Sequence, residues 1–162
     1  MKKIFKKLFS VDRIELISKH FNLEDSSILE IGVHRGDFSK ELFEYFNPKK
    51  LVLVDPWITF DDPEYNHSFY GNISKDGQSI QDQYYQEVVN RFSNETQKHK
   101  IEIFRDTSDN FFKANDTKFN LIYIDGNHLC DFVKKDILNS LKFLKKNGVI
   151  VLDDYSLTGW WR

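Results

Sequence analysis

Short runs of Ile, Leu and Val recur along the chain at 28–31, 51–54, 101–104, 121–124 and 149–152. Runs this short and this continuously apolar suit strands buried on both faces. Between them the apolar positions change to helical spacing. Phe38, Leu42 and Tyr45 form one stripe, Ile80, Tyr84, Val88 and Phe92 a second, and Val133, Ile137, Leu141 and Leu144 a third. Each spacing places its residues on one face of a helix.

Local signals refine these boundaries. Ser79 with Asp82 reads as an N-terminal cap for the middle helix, and Asn147-Gly148 supplies residues that tolerate a left-handed conformation after the last one. A further helix is expected near Asp12–Phe21, ahead of the first strand. The order β-α-β-α-β-α-β-α-β implies an α/β fold, a doubly wound parallel sheet with right-handed crossovers and helices on both faces. Ligands in such sheets bind beyond the carboxyl ends of the strands, where strand order reverses. The residues at those ends are Glu30–Gly36, Asp55–Trp57, Arg105–Ser108, Asp125–His128 and Asp153–Tyr155, and every group carries a carboxylate.

A chain of 162 residues supports one hydrophobic core, so a single domain is expected over 1–162, with a helical segment at 1–26 and a ligand-binding core at 27–155. An apolar share of 40% with charged residues of both signs is globular in character. The net charge of −2 offers no basic stripe for nucleic acid, which is therefore not expected as a partner. One cysteine, Cys130, permits neither an intrachain disulfide nor a thiolate cluster, which fits a cytoplasmic setting; it is expected to face the core. Lys6 and Lys7 interrupt the apolar N-terminus, and nothing approaches the roughly 20 apolar residues of a membrane span. Met1–Phe9 also fit a basic amphipathic anchor or a packing helix.

The first strand end reads Glu30-Ile31-Gly32-Val33-His34-Arg35-Gly36. Gly32 permits a sharp turn and close approach of a ligand to the backbone, and Gly36 permits close packing at the start of the next helix. The middle glycine of a dinucleotide fingerprint is missing, which argues against a nicotinamide cofactor. Asp55, at the second strand end, is placed to accept hydrogen bonds from both hydroxyls of a ribose, or is simply a solvated strand-end acid. Asp106-Thr107-Ser108 reads equally as a helix cap.

If the fourth and fifth strands are neighbours, their ends lie about 4.7–4.9 Å apart. Asp125 then approaches Asp153 and Asp154, and three clustered carboxylates repel unless protonated or bridged by a cation. A hard ion, Mg²⁺ or Mn²⁺, would resolve that repulsion. His128 can act as a general base, a further ligand, or a residue that only orders the loop.

From Ser27 to Tyr155 the chain resembles the class I S-adenosylmethionine-dependent methyltransferases. An acid two positions before the first glycine of Gly32-x-x-x-Gly36 is similar to their motif I. Asp55-Pro56-Trp57, Ile124-Asp125-Gly126-Asn127-His128 and Gly148-Val149-Ile150-Val151-Leu152-Asp153-Asp154-Tyr155 resemble the macrocin-type sugar O-methyltransferase group, methyltransferase domain family 24. The resemblance implies a Rossmann-like sheet of order 3-2-1-4-5. It implies S-adenosylmethionine contacts at Glu30, Gly32, His34, Gly36, Asp55, Pro56, Trp57, Asp106, Thr107, Ser108 and Asp125, with the adenine bordered by the loop at Asp106–Ser108. It implies metal ligands at Asp125, Asp153 and Asp154; Asp125 and His128 are the candidate catalytic residues. The expected reaction is metal-assisted O-methylation of a small hydroxylated acceptor, sugar or catechol-like.

The family sheet has strands 6 and 7 beyond the fifth, which this sequence lacks. Three explanations stay open: a fragment of a longer enzyme, a homo-oligomer whose partner covers the fifth-strand edge, or a degenerate module that binds S-adenosylmethionine without turnover. The polar, aromatic stretch at 57–78 is expected as a lid over the acceptor or as a surface excursion.

Overall fold

The computed structural model describes residues 12–59 and 77–153. Helix α1 (Arg13–His20) precedes β1 (Ser27–Ile31), α2 (Asp37–Phe46) and β2 (Lys50–Asp55). Then come α3 (Gln78–Arg91), α4 (Ser93–Gln97), β3 (Ile101–Arg105), α5 (Ser108–Ala114), β4 (Phe119–Ile124), α6 (Cys130–Lys142) and β5 (Leu144–Leu152). The five strands form one parallel sheet in the order β3-β2-β1-β4-β5. This is the expected α/β Rossmann-like architecture.

Alternation along the central strands divides the core. Ile28, Leu51, Leu53, Leu121 and Tyr123 face one layer with Ile14, Ile17, Phe38, Leu42 and Val88 from α1, α2 and α3. Leu29, Ile31, Val52, Val54, Ile122 and Ile124 face the other, against Phe111 and Phe112 of α5. The two-residue period of a strand places its neighbours on opposite faces, and helices on both sides keep both sets dry.

Several local expectations are corrected. The cap of α3 is Gly77 rather than Ser79, and Asp82 instead binds Gln78 and Arg105. On α2 the third inward residue is Phe46; Tyr45 is 61% exposed. The buried face of α6 is rotated from the predicted stripe: Asp136 and Ser140 point inward and Leu141 outward. That helix ends at Lys142, so the left-handed Asn147 lies inside β5, where the strand is longer than its apolar run and its pairing with β4 shifts register. Cys130 opens α6 and is exposed, not in the core.

Asp12 caps α1 by accepting from the backbone N–H groups of Ile14 and Glu15 at 3.0 and 3.2 Å. The cap and the buried Ile14 and Ile17 together fix the helix against the sheet. Among the described residues no helix is long and apolar enough to cross a membrane.

Candidate functional site

Strand order reverses beside β1, which lies between β2 and β4. There the peptides after each strand separate and leave a crevice. The loop after β1 is held on both sides: Gly32 N–H donates to Val54 O at 2.9 Å, and Asp125 N–H donates to Ile31 O at 2.8 Å. Asp55 completes the frame. Its Oδ2 accepts from the N–H groups of Val33 and His34, both at 2.9 Å, and its Oδ1 accepts from Trp57 N–H at 2.8 Å. Burial raises the Asp55 pKa, and these three donors offset part of that rise. The carboxylate therefore braces the first loop as well as facing the cleft.

The cleft is lined by Gly32, His34, Asp55, Pro56, Thr107, Ser108 and Asp125, all expected from the sequence. Other expected residues lie behind it. The Trp57 ring is fully buried, and its indole N–H donates to His34 O at 2.7 Å. Gly36 packs against Val88 and Phe92. Asp106 accepts from Thr107 N–H and the Asn110 amide, an arrangement that orders the start of α5.

Glu30 lies beneath the loop, 2% exposed, its pKa pushed up to about 8 first by burial. The nearby Ser39 hydroxyl favours the charged form, but neither Glu30 Oε2 nor Ser39 Oγ completes a hydrogen bond. At neutral pH this acid holds a proton.

The cleft also contains residues the sequence reading missed. Ile58, Gln81, Asn127, Phe132 and Asp136 line it, and Ser108 Oγ donates to Asp136 Oδ1 at 2.5 Å. Burial raises the Asp136 pKa. Asp136 lies off the apolar stripe read on this helix, so the sequence carried no signal for it.

Of the stretch at 57–78, residues 60–76 lie outside the described residues, as do Asp154, Tyr155 and the N-terminal nine. The two ends of the stretch are clasped together. Gln78 Nε2 donates to Trp57 O at 2.8 Å, Thr59 N–H donates to Gln78 Oε1 at 3.2 Å, and Arg105 Nη2 donates to Trp57 O at 3.1 Å.

A model of a methyltransferase domain family matches residues 29–155. The chain belongs to this methyltransferase family. It is an S-adenosylmethionine-dependent methyltransferase.

An rRNA methylase from Streptococcus thermophilus is 15% identical with a TM-score of 0.55, covering 88% of this chain and 72% of its own. A methyltransferase from Podospora anserina, solved with S-adenosylhomocysteine, is 18% identical with a TM-score of 0.51, covering 78% and 45%. A spermidine synthase from Thermotoga maritima is 15% identical with a TM-score of 0.50, covering 82% and 37%. At these identities the likeness shows the fold, which hosts more than one chemistry. A comparison with curated proteins returned no match.

Beside this cleft, the methyltransferase gathers charge at the tips of β4 and β5. Asp153 N–H donates to Ile124 O at 3.0 Å, which sets Asp153 beside the end of β4. Arg13 Nη1 lies 2.5 Å from Asp153 Oδ2, 3.6 Å from Asp125 Oδ2 and 3.4 Å from the Tyr123 hydroxyl. His128 Nε2 stands 3.8 Å from Asp125 Oδ1. The expected approach of Asp125 and Asp153 is thus present, with a guanidinium between them.

In this arrangement the two acids do not fit a divalent ion, because the position between them is taken by a cationic side chain. Among the described residues no three His, Cys, Asp or Glu side chains form a metal-binding group. The third expected ligand, Asp154, lies outside those residues.

Proposed function

We propose that this methyltransferase transfers the methyl group to an oxygen of a small hydroxylated acceptor, sugar or catechol-like, bound at the β4–β5 tips. The observation that supports this reading is the position of Asp125. It lines the cofactor cleft and also belongs to the polar cluster with Arg13, His128 and Asp153. A hydroxyl seated there meets the Asp125 carboxylate on the side of the cleft. Two acids at the mouth repel phosphates, and the chain carries a net charge of −2, so a small neutral acceptor fits better than RNA.

S-adenosylmethionine brings a methyl group already activated on a sulfonium. The residues have three tasks. The backbone at Gly32 and the walls at Pro56, Thr107 and Ser108 hold the donor. Asp125 aligns the acceptor hydroxyl for in-line attack. As the oxygen bonds to the methyl carbon and the carbon–sulfur bond breaks, the hydroxyl proton passes to Asp125 Oδ1, with His128 Nε2 as its onward acceptor.

Calorimetry with S-adenosylhomocysteine tests the first task. One-site binding is expected, and a folded sample that binds nothing removes the reading. Transfer of labelled methyl to a panel of sugars, polyols and catechols, with and without Mg²⁺, tests the rest. Binding without transfer to any acceptor would point instead to a cofactor-binding module.

A further inference from the structure

Two carboxylates at adjacent strand tips repel each other, and the cost rises as water is excluded. Asp125 and Asp153 are 28% and 19% exposed at their side chains, so solvent screens them only in part. The charge that offsets them comes from the first residue of α1. Arg13 is distant from both in sequence but reaches them through one nitrogen, Nη1.

We infer that Arg13 is the resident cation of the acceptor crevice: it fills the place between Asp125 and Asp153 that a divalent metal would take, and it keeps metal out.

Four features support this role. The guanidinium stacks on the Phe38 ring at 4.1 Å, which fixes its height above the sheet. Tyr123, otherwise buried, turns its hydroxyl toward the same nitrogen. The helix carrying Arg13 is anchored by the Asp12 cap and by buried Ile14 and Ile17, so the cation is held close rather than drawn from solution. Guanidinium also stays charged at every accessible pH, which a lysine in a desolvated place does not guarantee.

A small dication needs several oxygen ligands and keeps bound water. Both carboxylates are already directed at a donor nitrogen, so an ion must displace Arg13 and strip it from two acids and a ring. Arg13 therefore acts as a positioning residue that sets the orientation of Asp125 toward the acceptor. The helix ahead of the sheet becomes part of the site.

The inference concerns the same crevice as the proposed acceptor site, but its test does not depend on finding an acceptor. Mn²⁺ is titrated into the full chain saturated with S-adenosylhomocysteine, and free Mn²⁺ is followed by electron paramagnetic resonance. The wild-type chain is expected to leave the Mn²⁺ signal undiminished at concentrations where Arg13→Ala and Arg13→Gln each take up one ion. Adding Asp153→Asn to either variant is expected to abolish uptake.

Circular dichroism and the S-adenosylhomocysteine affinity, within about threefold of wild type, identify which variants are folded. Stoichiometric uptake of Mn²⁺ by the wild-type chain, lost in Asp153→Asn, would overturn the inference by showing that the arginine yields to metal. Folded Arg13→Ala and Arg13→Gln proteins that both leave Mn²⁺ free would overturn it too. A failure to bind S-adenosylhomocysteine would instead strike the functional reading.

Discussion

A Cβ atom added to Gly32 would lie 2.0 Å from the carbonyl oxygen of Asp125. The loop after β1 thus passes directly against the end of β4, and Gly32 also holds φ +87°, in the region that L side chains rarely adopt. The contact is to backbone, which has no rotamer by which to give way.

Gly32→Ala is therefore expected to be severe. Strain and displacement of the β4 tip together should cost on the order of 4 kcal/mol or prevent folding. Urea unfolding measures the loss, and any folded fraction should bind S-adenosylhomocysteine at least tenfold more weakly. An alanine variant with wild-type stability would show that the two tips are not packed this closely.

Glu30 gives the molecule a pH dependence with a definite sign. Its pKa rises from an ordinary value of 4.5 to about 8 in the folded chain, chiefly through burial. Between these values the native state holds a proton that the unfolded chain has released. Stability contributed by this group is therefore complete below pH 4.5 and falls as pH rises toward 8. The loss is on the order of 5 kcal/mol. Glu30→Gln keeps the shape and removes the titration. It should be more stable than wild type at pH 8.5, with a flatter stability profile between pH 5 and 8.5. A variant that tracks the wild-type profile would place the titrating group elsewhere.

The sheet order, the two-sided core and the acidic strand ends were legible in the sequence because each follows from a local period or from the direction of parallel strands. What it concealed were features in which tertiary packing overrides a local pattern. The stripe on α6 suggested Leu141 facing inward, yet Asp136 lies there because Ser108 offers it a hydrogen bond across the layer. Asp55 was legible as a strand-end acid, but its triple role for Val33, His34 and Trp57 depends on the path of two loops. Arg13 was the hardest to foresee. Nothing near it in the sequence marks it as a partner for residues more than a hundred positions away.

Phe132 separates binding from stability. Its side chain is large and apolar, yet the residue is 45% exposed, and it forms part of the cleft wall. A core phenylalanine cut to alanine costs about 3–5 kcal/mol, whereas this one supports no core layer. Phe132→Ala is expected to change unfolding stability by under about 0.5 kcal/mol. It should weaken S-adenosylhomocysteine binding roughly tenfold, the scale of one aromatic contact with a planar base. Calorimetry on the folded variant checks the affinity, and a large stability loss with unchanged affinity would assign Phe132 to packing instead.

His34 carries φ +52° without being glycine, and it does so at the lip of the cleft. Its N–H donates to Asp55, its carbonyl accepts from the Trp57 indole, and its ring meets Tyr84 edge-on with centroids 4.8 Å apart. Burial depresses the ring's pKa, so the neutral form is favoured. Asparagine tolerates left-handed backbone, whereas a β-branched residue is strained there. His34→Asn should keep most of the stability; loss of the Tyr84 ring contact costs about 1 kcal/mol. His34→Val should lose a further 1–2 kcal/mol or so from backbone strain. Thermal unfolding of the pair checks this order, and valine matching asparagine would mean that the loop relaxes out of the left-handed conformation without penalty.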